Sequence, residues 1–154
     1  MHISGNPDLV KNCTREGDVK VLRLPPGRYD HVTVYGGARL VLYPGEHWIH
    51  QLSVESDAQF AQENPDQATR VFLTGNLTWR GIIPLGGVRP ETIYMASLSD
   101  QWNIITTPFF GTFMAPGGYL ILGSGRDEEY QGRFYAKYIE VHQTTRITKV
   151  VFND

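Results

Sequence analysis

Apolar residues recur along this chain in short alternating runs, and the runs themselves recur. Val32-Thr33-Val34, Leu52-Ser53-Val54 and Leu77-Thr78-Trp79 each set two apolar side chains around one hydroxyl. Successive strand residues point to opposite faces, so the outer pair of each triplet lies on one side and the hydroxyl on the other. The pattern predicts strands near 19–24, 31–35, 39–43, 47–54, 70–74, 76–79, 92–96, 102–106, 111–115, 119–122, 132–136, 138–142 and 146–152. Residues 57–68 alone have a composition compatible with a helix, and Asn64-Pro65-Asp66 interrupts it in favour of a turn or short loop.

The runs are organised as repeats. Leu22-Arg-Leu-Pro-Pro-Gly27, followed by Val32, Val34 and Ala38, is written again as Leu40-Val-Leu-Tyr-Pro-Gly45, followed by Leu52, Val54 and Ala58. Leu22 to Leu40 is 18 residues and Val34 to Val54 is 20, which places two extra residues after the Pro-Gly turn of the second copy. A second repeat relates Gly111-Thr-Phe-Met-Ala115 to Gly132-Arg-Phe-Tyr-Ala136, 21 residues on, and Tyr119-Leu-Ile-Leu122 to Tyr138-Ile-Glu-Val141, 19 residues on. A period near twenty in strand-forming sequence is the mark of a coiled sheet whose turns stack on one another. The register then stacks Val32 on Leu52 and Val34 on Val54, with Thr33 and Ser53 outside. Six or seven turns fit the length, rising to about 30 Å at the spacing of neighbouring strands. The expected fold is an all-β solenoid, a parallel β-helix, in a single domain over residues 1–154, with 1–18 as an N-terminal cap and 145–154 as a C-terminal edge. Gly27, Gly45, Gly36-Gly37 and Gly117-Gly118 are placed at corners, where positive φ is expected.

Composition narrows the functional classes. A net charge of −2 gives no general attraction to nucleic acid or anionic membrane. Cys13, the single cysteine, allows neither an intrachain disulfide nor a cysteine zinc site, and reads as a small residue rather than a reactive thiol. No apolar run approaches the ~18 residues of a membrane span, so no membrane insertion is expected. Residues 1–6 lack the features of a signal peptide. No dinucleotide, Walker or Gly-x-Ser-x-Gly pattern occurs, and no cofactor is expected.

The candidate chemistry is sparse. His47 and His50 sit three apart, which on a strand sends them to opposite faces and away from a shared metal. Alignment through the later half of the repeat sets Asp30 beside His50 and His31 beside Gln51; alignment through Pro-Gly sets Arg28 beside Glu46. These are surface ladder pairs. An enzyme acting on polysaccharide would need carboxylates converging in one groove, for which Asp30, Glu46, Glu55 and Asp57 are the candidates. Arg126-Asp127-Glu128-Glu129 reads as a solvated corner. Tyr29, Tyr35, Tyr43, Trp48, Trp79, Trp102, Tyr119 and Tyr138 form a large aromatic set, and Trp48, Trp102 and Tyr35 are the expected ligand-binding residues if the rings stack on sugars. The stretches 81–90 and 97–108 exceed a minimal corner; they read as insertions over the side of the coil, with binding as the alternative. Asn12-Cys-Thr14 and Asn76-Leu-Thr78 match a glycosylation pattern and are taken as incidental.

Residues 24–34 (Leu-Pro-Pro-Gly-Arg-Tyr-Asp-His-Val-Thr-Val), 42–48, 111–116 and 134–143 resemble β-helical domains of surface or secreted proteins of Gram-negative bacteria. The resemblance spans about residues 20–150. It implies a right-handed parallel β-helix broadly like that of pectate lyases, an extracytoplasmic location and no assigned activity. The matching residues are turn and core positions, so no catalytic residue is carried over. The expected function is a non-enzymatic cell-surface or extracellular module with a structural, adhesive or assembly role. It would contact a neighbouring domain or another copy through the solenoid ends. The alternative is a carbohydrate-binding module, with polysaccharide as partner.

Overall fold

The computed structural model describes residues 2–4 and 13–150, with side chains from Thr14 onward. It is a parallel β-solenoid of about six turns, without a helix among the described residues. In chain order the strands are β1 (His2–Ser4), β2 (Cys13–Glu16), β3 (Val19–Leu24), β4 (Gly27–Val34), β5 (Ala38–Leu42), β6 (Gly45–Val54) and β7 (Gln59–Gln62). They continue as β8 (Thr69–Leu73), β9 (Leu77–Trp79), β10 (Ile93–Ser97), β11 (Trp102–Ile105), β12 (Phe110–Leu122), β13 (Glu128–Val141) and β14 (Thr145–Thr148).

Three ladders run along the axis. β3, β5 and β7 form the first. The leading halves of β4 and β6, then β8, β10, the leading halves of β12 and β13, and β14 form the second. The trailing halves of β4 and β6, then β9, β11 and the trailing halves of β12 and β13, form the third. Within all three, neighbours are parallel. The antiparallel pairs are at the N-terminal end, where β1 lies on β4 and β2 on β3.

The repeats translate directly into register. Val32 faces Leu52, and Val34 faces Val54. Gly111 faces Gly132, Ala115 faces Ala136 and Tyr119 faces Tyr138. The inward column of the third ladder reads Val34, Val54, Trp79, Ile105, Leu122, Val141, at chain intervals of 20, 25, 26, 17 and 19 residues. Longer intervals mark added chain at the corners, since the ladder spacing itself is fixed by backbone hydrogen bonds. Inside, Phe60, Trp79 and Phe109 meet edge to face at centroid distances of 5.0 and 5.2 Å, the favoured contact of aromatic quadrupoles.

Several expectations are corrected. Pro-Gly does not align with Pro-Gly: Gly27 faces His47 and Arg28 faces Trp48, so the two extra residues enter within 43–46, before the pairing of β6 with β4 begins at His47. The reason is that Gly45 already belongs to the ladder, facing Thr69 of the next turn, and its α-carbon lies where a Cβ would stand 2.7 Å from the Pro26 ring. Of the expected corner glycines only Gly37 and Gly45 have positive φ. Residues 59–62, read as loop, form β7: Phe60 continues the Leu22–Leu40 column, and one tertiary rung outweighs the local turn signal that follows. Residues 13–16, for which no strand was expected, form β2.

The stretch 81–90 packs over the side of the coil, where it closes the open edge of β7. Ile82 bridges Gln59, the Gln62 N–H donates to the Gly87 carbonyl at 2.7 Å, and Val88 enters the core. Gln62, itself buried, accepts at Oε1 from the Arg89 N–H and the Thr92 hydroxyl, both at 3.2 Å. The stretch 97–108 contains β11 and two short corners.

Candidate functional site

At the C-terminal end of the third ladder, residues 138–141 of β13 pair with β12 on one side only. β14 covers β13 at 128–131, on the second ladder, and no described residue pairs with the outer edge of 138–141. Ile139 and Val141 point inward, as Leu120 and Leu122 do one rung earlier, yet they are 44% and 48% exposed, and no strand of the described residues lies over them. Ile147 of β14 is likewise half exposed. The N-terminal end of the same ladder differs: β1 runs antiparallel along 31–33 of β4.

An aromatic stack runs down the outer face to this edge. Trp102, Tyr119 and Tyr138 occupy one column of the third ladder, with ring centroids 4.4 and 4.8 Å apart and interplanar angles of 21° and 17°. The geometry follows from the parallel register, which places like positions one strand spacing apart. It also limits what the rings can do. Each face spent on a neighbouring ring is withdrawn from a ligand, so Tyr119 offers only its edge. The Lys137 ammonium sits 5.5 Å from the Tyr138 ring centroid, within cation–π range. Trp102 is half exposed, and its face away from Tyr119 meets no described ring. A shallow hollow of about 210 Å³ runs beside the stack, lined by Trp102, Tyr119, Tyr138, Ile139 and Glu140. On the same outer face Glu140 accepts from His142 Nε2 at 3.2 Å.

The three expected ligand-binding residues are not brought together. Trp48 lies on the second ladder, stacked on Phe72 at 4.6 Å; Tyr35 is half exposed at the corner after β4; Trp102 opens β11, two turns beyond Trp48. The expected carboxylates are also dispersed. Asp30 contacts His31 Nδ1 at 2.9 Å, Glu55 accepts from the Ser53 hydroxyl at 2.6 Å, Glu46 lies on the second ladder, and Asp57 sits at a corner with positive φ. Among the described residues no group of three His, Cys, Asp or Glu side chains could hold a metal ion. The acidic run at 127–129 is engaged by its surroundings: Asp127 pairs with Arg146, Glu128 accepts from Ser124, and Glu129 accepts from Thr148.

His47 and His50 separate as strand alternation requires. His47 is fully buried and donates from Nε2 to the Tyr43 carbonyl at 2.9 Å, leaving Nδ1 without a partner. Burial pushes its pKa below the ordinary value, against the opposing pull of that carbonyl. His50 is exposed, bonds Thr74 at 3.0 Å and meets the His31 ring edge-on at 5.5 Å. Near the N-terminal end, Arg23 bridges Glu16 at 2.6 Å and Glu63 at 3.1 Å, while Arg39 reaches Glu16 at 3.1 Å. These pairs hold β2 against the first ladder, and the Arg23 hydrogen bond lowers the Glu16 pKa.

Asn103 was not singled out from the sequence. It is fully buried in the inward column between Leu77 and Leu120, accepts from the Leu77 N–H at 3.0 Å, and donates to the Gln101 and Tyr119 carbonyls at 3.2 Å. One amide thereby joins three successive turns. A polar residue in an apolar column of the repeat is the signal that could have found it.

No family model, no curated protein and no solved structure matches this chain. No helix among the described residues is long and apolar enough to cross a membrane.

Proposed function

We propose that this chain is a non-catalytic module of a cell-surface or extracellular protein, built as a right-handed parallel β-helix of the pectate-lyase-like kind. Its role is structural, adhesive or in assembly, and its contact surface is the C-terminal end of the third ladder. One observation carries the reading: Ile139 and Val141 occupy core columns yet remain about half exposed, next to a strand edge that no described residue pairs. Exposed edges of this kind invite strand addition and are ordinarily blunted when no partner is to be met. The dispersed carboxylates support the non-catalytic part, and the resemblance in residues 20–150 supports the extracytoplasmic location.

A second reading, carbohydrate binding, has its own support in the free face of Trp102 and the hollow beside it. The two separate in one experiment. A panel of bacterial, plant and algal glycans should give no specific binding and no depolymerisation, and Ile139→Thr with Val141→Thr should leave the fold intact. Specific glycan binding abolished by Trp102→Ala establishes the second reading instead. Depolymerising activity overturns the non-catalytic one. A double threonine variant that loses stability like an interior truncation overturns the assignment of these side chains to contact.

A further inference from the structure

We infer that the partner at this end is a second copy of the chain, added antiparallel along the outer edge of 138–141 about a two-fold axis. The inference rests on the assembly reading above and names its partner. The chain already uses this solution at the other end of the same ladder, where β1 lies antiparallel on 31–33. That end is thereby taken, so head-to-tail stacking of copies would meet a covered edge. Pairing of like ends closes the assembly instead, as a two-fold interface does.

Charge selects the register. A two-fold axis normal to the sheet sets residues opposite each other only in combinations that keep inward side chains inward. Centring on Glu140 places two carboxylates face to face, which is unfavourable. Centring on Tyr138 sets Glu140 against Ala136, beyond the corner. Centring on Ile139 joins the two Ile139 side chains across the interior and sets Tyr138 opposite the other copy's Glu140 on the outer face. Lys137, whose ammonium lies on the Tyr138 ring, then stands beside that carboxylate. Symmetry makes this ion pair twice. The aromatic stack would meet the interface at both ends of the new pairing, and the exposed Ile139 would gain an apolar neighbour.

Sedimentation of the full chain from micromolar to millimolar concentration tests the inference. The expected result is a monomer–dimer equilibrium that Ile139→Lys abolishes and Glu140→Lys weakens by about tenfold, with Lys137→Glu added to Glu140→Lys restoring it. Amide exchange at 138–141 of the unaltered chain should slow as concentration rises, a readout that holds even if a variant folds poorly. A monomer at every concentration, or a dimer indifferent to Ile139→Lys, overturns the second copy as partner. Either leaves the assembly reading standing on its own test. A dimer that the charge reversal does not restore, with exchange unchanged at 138–141, overturns the register and the edge together.

Discussion

β12 and β13 are close copies in sequence and neighbours in space, and they differ in what surrounds them. Leu120 and Leu122 are buried, whereas Ile139 and Val141, facing them in register, are half open to solvent. In a solenoid an inward direction is a property of the strand, but burial is a property of the stack: a side chain is enclosed only when a rung lies on each side. The same sequence phrase is therefore core in one turn and surface in the next.

The sharpest way to break this contrast is to truncate both strands. Leu120→Ala should cost about 2–5 kcal/mol as an interior cavity. Ile139→Ala, already half solvated, should stay within about 1 kcal/mol. Chemical denaturation measures both, and equal losses would mean the last rung is covered in solution. Removing the polar tie in the same column comes next. Asn103→Ala leaves the buried Leu77 N–H without its acceptor and should cost about 1–3 kcal/mol. The effect should be clearest as faster amide exchange at Leu77.

Acid probes the interior differently. The pKa of His47 is lowered in the folded chain, so the unfolded chain takes up the proton first as pH falls below about 6.5. The stability associated with neutral His47 is complete above that value and declines below it, at no more than about 1.4 kcal/mol per pH unit. Thermal midpoints from pH 8 to pH 5 should fall less steeply in His47→Gln than in the unaltered chain. The smallest effect belongs to the outer hydroxyl row: Thr33→Ala should shift stability by about 0.5 kcal/mol or less, and a larger loss would show that this half-buried row carries packing of its own.

Which parts of this architecture could be read from the residues follows from what repeats. The pairs Val32–Leu52, Val34–Val54, Gly111–Gly132 and Tyr119–Tyr138 were legible because stacking makes like residues recur at the turn interval. The Pro-Gly phrase misled for the same reason: it recurs in sequence, but Gly45 serves a different rung from Gly27. β2 pairs antiparallel, and a cap does not repeat what it covers. β7 was hidden because it has four residues beside Asn64-Pro65-Asp66. Of the candidate site, Trp102 was visible as an aromatic residue, but its place above Tyr119 depends on a 17-residue interval that no shared motif marks. The edge at 138–141, which no described residue pairs, left no sign in the residues, because Ile139 and Val141 match their buried counterparts in type.

The unequal pairing at the two ends of the coil has a mechanical corollary. Drawn apart along its axis, such a coil unzips rung by rung, since each strand is held chiefly by the strand before it. The C-terminal rungs would yield first, as β14 is fastened by four residue pairs and β13 by ten, while the opposite extremity is locked by strands running the other way. Docking at the bare edge would then act as a latch, raising the force needed to start the tear.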